Sequence, residues 1–184
     1  MTGIWNRALP AVAILALGLP AWSQDVRYAK KLAPYVSSPV RIVDRMLELA
    51  APKPGETLYD LGCGDGRVVI AAAQRYKIKS VGVEISEKLV KAGNEQIARL
   101  GLQDHARILH ANLLDVDLTG ADIVIIYLMT DANKELRPRL EKFLKPGARV
   151  VSHDYAVPGW EPVEVDKSDP RGHRIYLYHI GARK

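Results

Sequence analysis

The stretch Asp60-Leu61-Gly62-Cys63-Gly64-Asp65-Gly66 sets an acidic residue two positions ahead of three glycines at alternate positions. It follows a short strand-like run, Thr57–Leu61, and opens a helix-like, alanine-rich run, Arg67–Tyr76. Glycines at such a turn let backbone approach a ligand closely. The helix that follows contributes free N–H groups and the positive end of its dipole. About 20 residues further on, a second apolar run over residues 80–84 ends in Glu84. A carboxylate there can accept two hydrogen bonds from a ribose diol.

Two ligand classes suit such a layout. A dinucleotide fold wants G-x-G-x-x-G around a pyrophosphate. Here the third glycine comes one residue early, and Arg67 stands where that motif needs glycine. Asp60 would repel a pyrophosphate and attract an ammonium group. The pattern therefore implies S-adenosylmethionine (SAM), and a dinucleotide oxidoreductase is disfavoured. Asp60 and the backbone of Gly62 and Gly64 are expected to hold the methionyl end, with Asp65 and Gly66 completing the loop. Glu84 is expected on the ribose. The carbonyl of Asn112, after the third strand, is expected near the adenine amino group. Tyr127, at the mouth of the fourth strand, is the candidate catalytic residue lining an acceptor channel. His153-Asp154 at a later strand end reads as a structural pair rather than a general base. Cys63, the only cysteine, excludes an intramolecular disulfide and reads as a small residue packed in the loop. No His/Cys cluster has metal-ligand spacing along the chain, so no metal is expected.

The elements that must position these residues alternate between strand-like and helix-like patterns. That argues for one α/β domain with a doubly wound, Rossmann-like sheet, mostly parallel, with an antiparallel strand near the C-terminus. A helix over residues 41–50 buries Val43, Met46, Leu47 and Ala50 and is stopped by Pro52, Pro54 and Gly55. A helix after Ser86 as N-cap runs to Leu100 and is closed by Gly101, its inward face Leu89, Gly93, Ile97 and Leu100. Residues 106–109 form a third strand. Residues 123–127, apolar without a break, suit a central strand buried on both faces. Leu136, Leu140 and Phe143 or Leu144 mark a further helix, with Pro138 kinking it or in its first turn. Strands are expected over 149–152, 163–165 and 175–180, the last two as an antiparallel pair.

Residues 1–23 are set apart. Arg7, the apolar stretch 8–19 and the small residues Ala21-Trp22-Ser23 read as a signal peptide, leaving residues 24–184 as the catalytic domain and predicting an exported or periplasmic protein. The alternative is an uncleaved anchor with membrane association through residues 8–21. Arg27, Lys30 and Lys31 would then keep the domain in the cytoplasm. SAM is made inside cells, so export and this cofactor pull in opposite directions. The net charge of +5 comes from Lys and Arg scattered without a run, which gives no nucleic-acid footprint.

Beyond these residues, the chain resembles the SAM-dependent protein-lysine methyltransferases of archaea and bacteria. That family includes the mitochondrial enzymes acting on the ATP synthase c subunit and the ADP/ATP carrier. The matching stretches are Tyr35-Val36-Ser37-Ser38-Pro39, Leu58-Tyr59-Asp60 through Arg67, Val81-Gly82-Val83-Glu84, Tyr127-Leu128, Leu144-Lys145-Pro146-Gly147, and Arg149-Val150-Val151-Ser152-His153-Asp154 with the later Trp160-Glu161-Pro162. The resemblance implies a SAM-binding sheet, methyl transfer to a lysine of a protein partner, and Tyr35 closing over the cofactor. The chain departs from the family pattern at Ser37-Ser38, where Pro-Thr is usual, and at Asn112, where Asp is usual. The fold alone permits a small-molecule acceptor equally, and the signal-like segment also fits a non-catalytic exported protein that keeps the SAM-binding fold.

Overall fold

In the computed structural model, which describes residues 36–181, helix α1 (Val40–Ala50) buries Ile42, Val43, Met46, Leu47 and Ala50 along one stripe. That spacing is the helical period with one apolar face. Ala51 then turns left-handed (φ 44°) ahead of Pro52 and ends the helix. Arg149 caps this end, donating to the carbonyls of Ala50 (2.7 Å) and Ala51 (2.8 Å).

The remaining elements alternate as read from the sequence. They are β1 (Thr57–Leu61), α2 (Arg67–Tyr76), β2 (Lys79–Glu84), α3 (Glu87–Arg99), β3 (Ala106–His110), β4 (Ile123–Ile126), α4 (Thr130–Phe143), β5 (Arg149–His153), β6 (Glu164–Asp166) and β7 (Ile175–His179). They form one sheet in the order β3-β2-β1-β4-β5-β7-β6. The pairs β1–β2, β2–β3, β1–β4 and β4–β5 are parallel. Strand β7 enters antiparallel between β5 and β6. The chain therefore winds one way from β1 to β3 and the other way from β4 on. The crevice above the β1/β4 boundary is where such sheets bind ligands.

Strand β4 shows how both faces are filled. Ile123 and Ile125 pack with α1 and α2, whereas Val124 and Ile126 pack with Leu136 and Leu140 of α4. All four are at most 1% exposed, which is why the run is apolar without alternation.

Two details differ from the sequence reading, and a third decides between its alternatives. Ser86 stands at the N-cap of α3 without a side-chain cap bond; its backbone N–H instead reaches the Glu84 carboxylate at 2.8 Å. Leu100 is 40% exposed, because α3 stops at Arg99 and the turn at Gly101 (φ 66°) sends Leu102 into the core in its place. Pro138 lies well inside α4, since that helix begins at Thr130. It sits on the exposed face, where water can take the carbonyl it leaves unpaired.

Packing under the glycine loop depends on missing side chains. A Cβ on Gly82 of β2 would lie 2.5 Å from Cys63 Sγ and 3.1 Å from Ile108 Cγ1. Cys63 is buried at 7% exposure, so the loop's one thiol fills the hollow over Gly82. Gly82→Ala is expected to destabilise the protein by about 1–3 kcal/mol through overpacking. A urea or guanidinium midpoint that does not fall would show the site to be slack.

Candidate active site

The C-terminal ends of β1, β2 and β4 open into a cavity of about 320 Å³. Asp60, Gly62, Gly64, Asp65, Glu84, Asn112 and Tyr127 all line it. The loop from β1 is held by β2: the N–H groups of Gly62 and Cys63 donate to the Val83 carbonyl (2.8 and 3.1 Å). Gly62 (φ 84°) and Gly64 (φ 57°) occupy the left-handed region, where glycine is favoured.

Glu84 ties this loop to the next helix. Its Oε2 accepts from Gly64 N–H at 3.0 Å and its Oε1 from Ser86 N–H at 2.8 Å. Each oxygen keeps a further lone pair for a ribose hydroxyl. Asp60 is 5% exposed, and no hydrogen bond from another described residue reaches its carboxylate. Burial, with Glu84 and Asp65 nearby, pushes its pKa up to about 8. A buried acid in this state calls for a cation. The sulfonium and ammonium of SAM supply one, whereas a pyrophosphate would add to the repulsion. The residues present therefore fit SAM.

Asp65 lines the cavity, but its carboxylate is already bidentate to Arg67 (2.6 Å at the shortest), whose other nitrogen donates to the Ser38 carbonyl at 2.7 Å. The side-chain oxygen of Asn112 takes Leu114 N–H at 3.0 Å, forming an Asx turn after β3. One lone pair remains for an adenine amino group. Gly66 is not among the lining residues. It stands at the start of α2 (φ 80°), where a Cβ would lie 2.6 Å from Ile108 Cδ1. Tyr35 and the N-terminal segment 1–23 lie outside the described residues.

Tyr127 follows β4 at the cavity edge. Its hydroxyl donates to Asp154 Oδ2 at 3.2 Å, and its ring lies on His153 with centroids 3.9 Å apart. Burial and the Asp154 charge push the phenol up to about 12, so it stays protonated. His153 is fully buried, which pushes its pKa down to about 4. Its Nδ1 meets Ser38 Oγ at 2.9 Å. Burial raises Asp154, but hydrogen bonds from His173 and from Arg174 N–H outweigh it and hold the carboxyl below its usual range.

Sequence spacing missed two members of this group. His173 lies 20 residues beyond His153 and arrives only because β7 pairs antiparallel with β5. Ser38 lies 115 residues before its partner. Arg45 bonds Asp166, and Arg41 bonds Asp169, so α1 anchors the β6–β7 connector that carries His173.

The strand order, the glycine loop and the acidic cavity together define a SAM-dependent methyltransferase of the seven-strand α/β class. Residues 60–164 match the model of the ANTKMT methyltransferase domain. The chain belongs to that family. It is 44% identical to a protein-lysine N-methyltransferase of Saccharolobus islandicus, over 82% of this chain and 96% of that one. It is 34% identical to the adenine nucleotide translocase lysine N-methyltransferase of Mus musculus, over 72% of this chain and 57% of that protein. A crystal structure described as an RNA methyltransferase from Salinibacter ruber, in complex with S-adenosyl-L-homocysteine, superposes with a TM-score of 0.77 at 38% identity. It covers 81% of this chain and 96% of the other.

Proposed function

We propose that this chain transfers methyl groups from SAM to a lysine of a protein partner. The observation that carries the reading is the mouth of the cavity. Tyr127 and the exposed Val36 line it, and the exposed Tyr155 stacks beside Tyr127 with ring centroids 6.3 Å apart. Exposed apolar side chains around a mouth suit docking of another protein's surface. The lysine-methyltransferase relatives supply the acceptor class.

Bound SAM supplies a methyl group on a positively charged sulfur. The chain's own residues orient and enclose it: Asp60 and the Gly62–Gly64 backbone at the methionyl end, Glu84 at the ribose, Asn112 toward the adenine. A lysine must arrive neutral and in line. The Tyr127 ring borders the cavity that such an amine would enter. Its hydroxyl proton points at Asp154, so its oxygen remains an acceptor for an amine N–H.

Labelled SAM, incubated with the enzyme and fractionated cell extract, tests the reading. Label on lysine-containing peptides is the expected result. The Salinibacter ruber structure makes RNA the second arm, although scattered Lys and Arg give this chain no basic stripe. Label confined to RNA or to small molecules would overturn the proposal. Tyr127→Phe is expected to lower kcat by about 10–100-fold through lost alignment of the amine, with SAM affinity within about twofold. An unchanged kcat removes Tyr127 from the acceptor channel.

For localisation, the cofactor favours the anchored arrangement, with residues 8–21 in the membrane and the catalytic domain on the cytoplasmic side. Protease protection in spheroplasts would separate this from export.

A further inference from the structure

Beside the cofactor cavity, but not lining it, three ligand-type atoms converge. His153 Nε2 is 3.2 Å from His173 Nδ1, His173 Nδ1 is 2.9 Å from Asp154 Oδ2, and Asp154 Oδ2 is 3.3 Å from His153 Nε2. They make a nearly equilateral triangle drawn from β5, the turn after it and the β6–β7 connector. Two imidazoles and a carboxylate around one divalent ion, at bond lengths of about 2.0–2.2 Å, are separated by about 3.0–3.4 Å. Two of the observed edges, 3.2 and 3.3 Å, fall at those lengths, and the third, at 2.9 Å, is just shorter.

Counting protons sharpens the point. A neutral imidazole carries one N–H. If His153 directs its proton from Nδ1 to Ser38 Oγ, the triangle holds at most one proton for three edges. With that proton on His173 Nδ1 and directed at Asp154, the His153 Nε2–His173 Nδ1 edge has no proton of its own and the His153 Nε2–Asp154 Oδ2 edge brings lone pair against lone pair. A cation seated over the face satisfies all three at once. The surroundings match what holds metal ligands in place. Ser38 orients the His153 ring through Nδ1 at 2.9 Å, and Arg174 N–H binds Asp154 Oδ1 at 3.1 Å, leaving Oδ2 to turn inward. Asp154 adopts φ 60°, a conformation that Asp tolerates, and so aims its carboxylate back at the rings. His153 is sealed from solvent, while His173 and Asp154 side chains are each 24% exposed. That leaves an open side for water to complete the coordination.

We propose that His153, Asp154 and His173 form a binding site for a divalent transition-metal ion, with zinc the fitting choice for two imidazoles and one carboxylate. The ion would clip the β6–β7 connector to the end of β5 and steady Asp154, on which the Tyr127 hydroxyl rests. It is a positioning site, independent of which acceptor the enzyme takes.

The test uses the full-length, untagged chain, stripped with chelator and titrated with Zn²⁺ by calorimetry. One ion per chain is expected. Asp154→Asn, which keeps the backbone conformation, and His173→Ala should each weaken binding by at least about 100-fold. Ser38→Ala should weaken it by about 10–100-fold by loosening the His153 ring. SAM titration of each variant reports folding. Co²⁺ added to the unaltered protein should give the intense visible bands of a low-coordinate site, a readout that needs no variant. Absence of binding, weak Co²⁺ bands, or full affinity retained in either His173→Ala or Asp154→Asn would overturn the site and leave a hydrogen-bonded cluster alone.

Discussion

Glu84→Ala is expected to weaken SAM binding by about 2–3 kcal/mol, roughly a hundredfold in Kd. The loss has two sources. The ribose loses its carboxylate, and the loop loses the acceptor shared by Gly64 N–H and Ser86 N–H. Glu84→Gln should recover little. An amide has one oxygen where the carboxylate has two, and its NH₂ would face one of those two N–H donors. Calorimetry on the unaltered protein and the two variants checks this. A Glu84→Gln variant that binds SAM as tightly as the unaltered protein would mean that shape rather than charge holds the ribose.

The second large effect is in pH. Asp60 has a folded-state pKa of about 8, far above an unfolded aspartate. Between those values the folded, cofactor-free protein holds a proton that the unfolded chain does not. Its stability therefore falls as pH rises from about 4 to 8 and levels off above. A cationic ligand reverses the preference and expels that proton. SAM affinity should thus rise by up to about tenfold per pH unit between about 6 and 7.5. Proton release on binding should appear as a dependence of the calorimetric enthalpy on buffer. Asp60→Asn should flatten both. A flat profile in the unaltered enzyme would mean that Asp60 is ionised before SAM arrives.

The sheet and its cofactor crevice were legible in the sequence because local signals carry them. Thr57–Leu61, the glycine loop and Glu84 lie within one strand-helix-strand unit, and parallel pairing of β1 with β2 brings the far carboxylate back onto the loop. The four-residue apolar core of β4 announced burial on both faces. What escaped reading needed long-range information. The spacing of the motif marks Gly66, but not the close approach of Ile108 to its backbone, which depends on how β3 packs. Leu100 fitted the helical period of α3, but the turn at Gly101 hands its place to Leu102. His173 and Ser38 carry no local pattern. They meet His153 only after β7 has reversed direction and the start of α1 has docked.

The reversal of β7 decides which end of the strand feeds the crevice. In a parallel strand the chain leaves toward the crevice, so the loop following it shapes the site. In β7 the chain arrives from the crevice, and the stretch preceding Ile175 does the shaping. Residues 167–174 are thus a rim segment fed from the outermost strand pair, remote from the glycine loop that grips the cofactor. A change of length in this stretch would displace His173 from the end of β5 and leave the strand-helix units that line the cofactor cavity where they are. The two ends of the stretch are fixed: Asp166 is clamped by Arg45 on one side, and Ile175 is paired with β5 on the other.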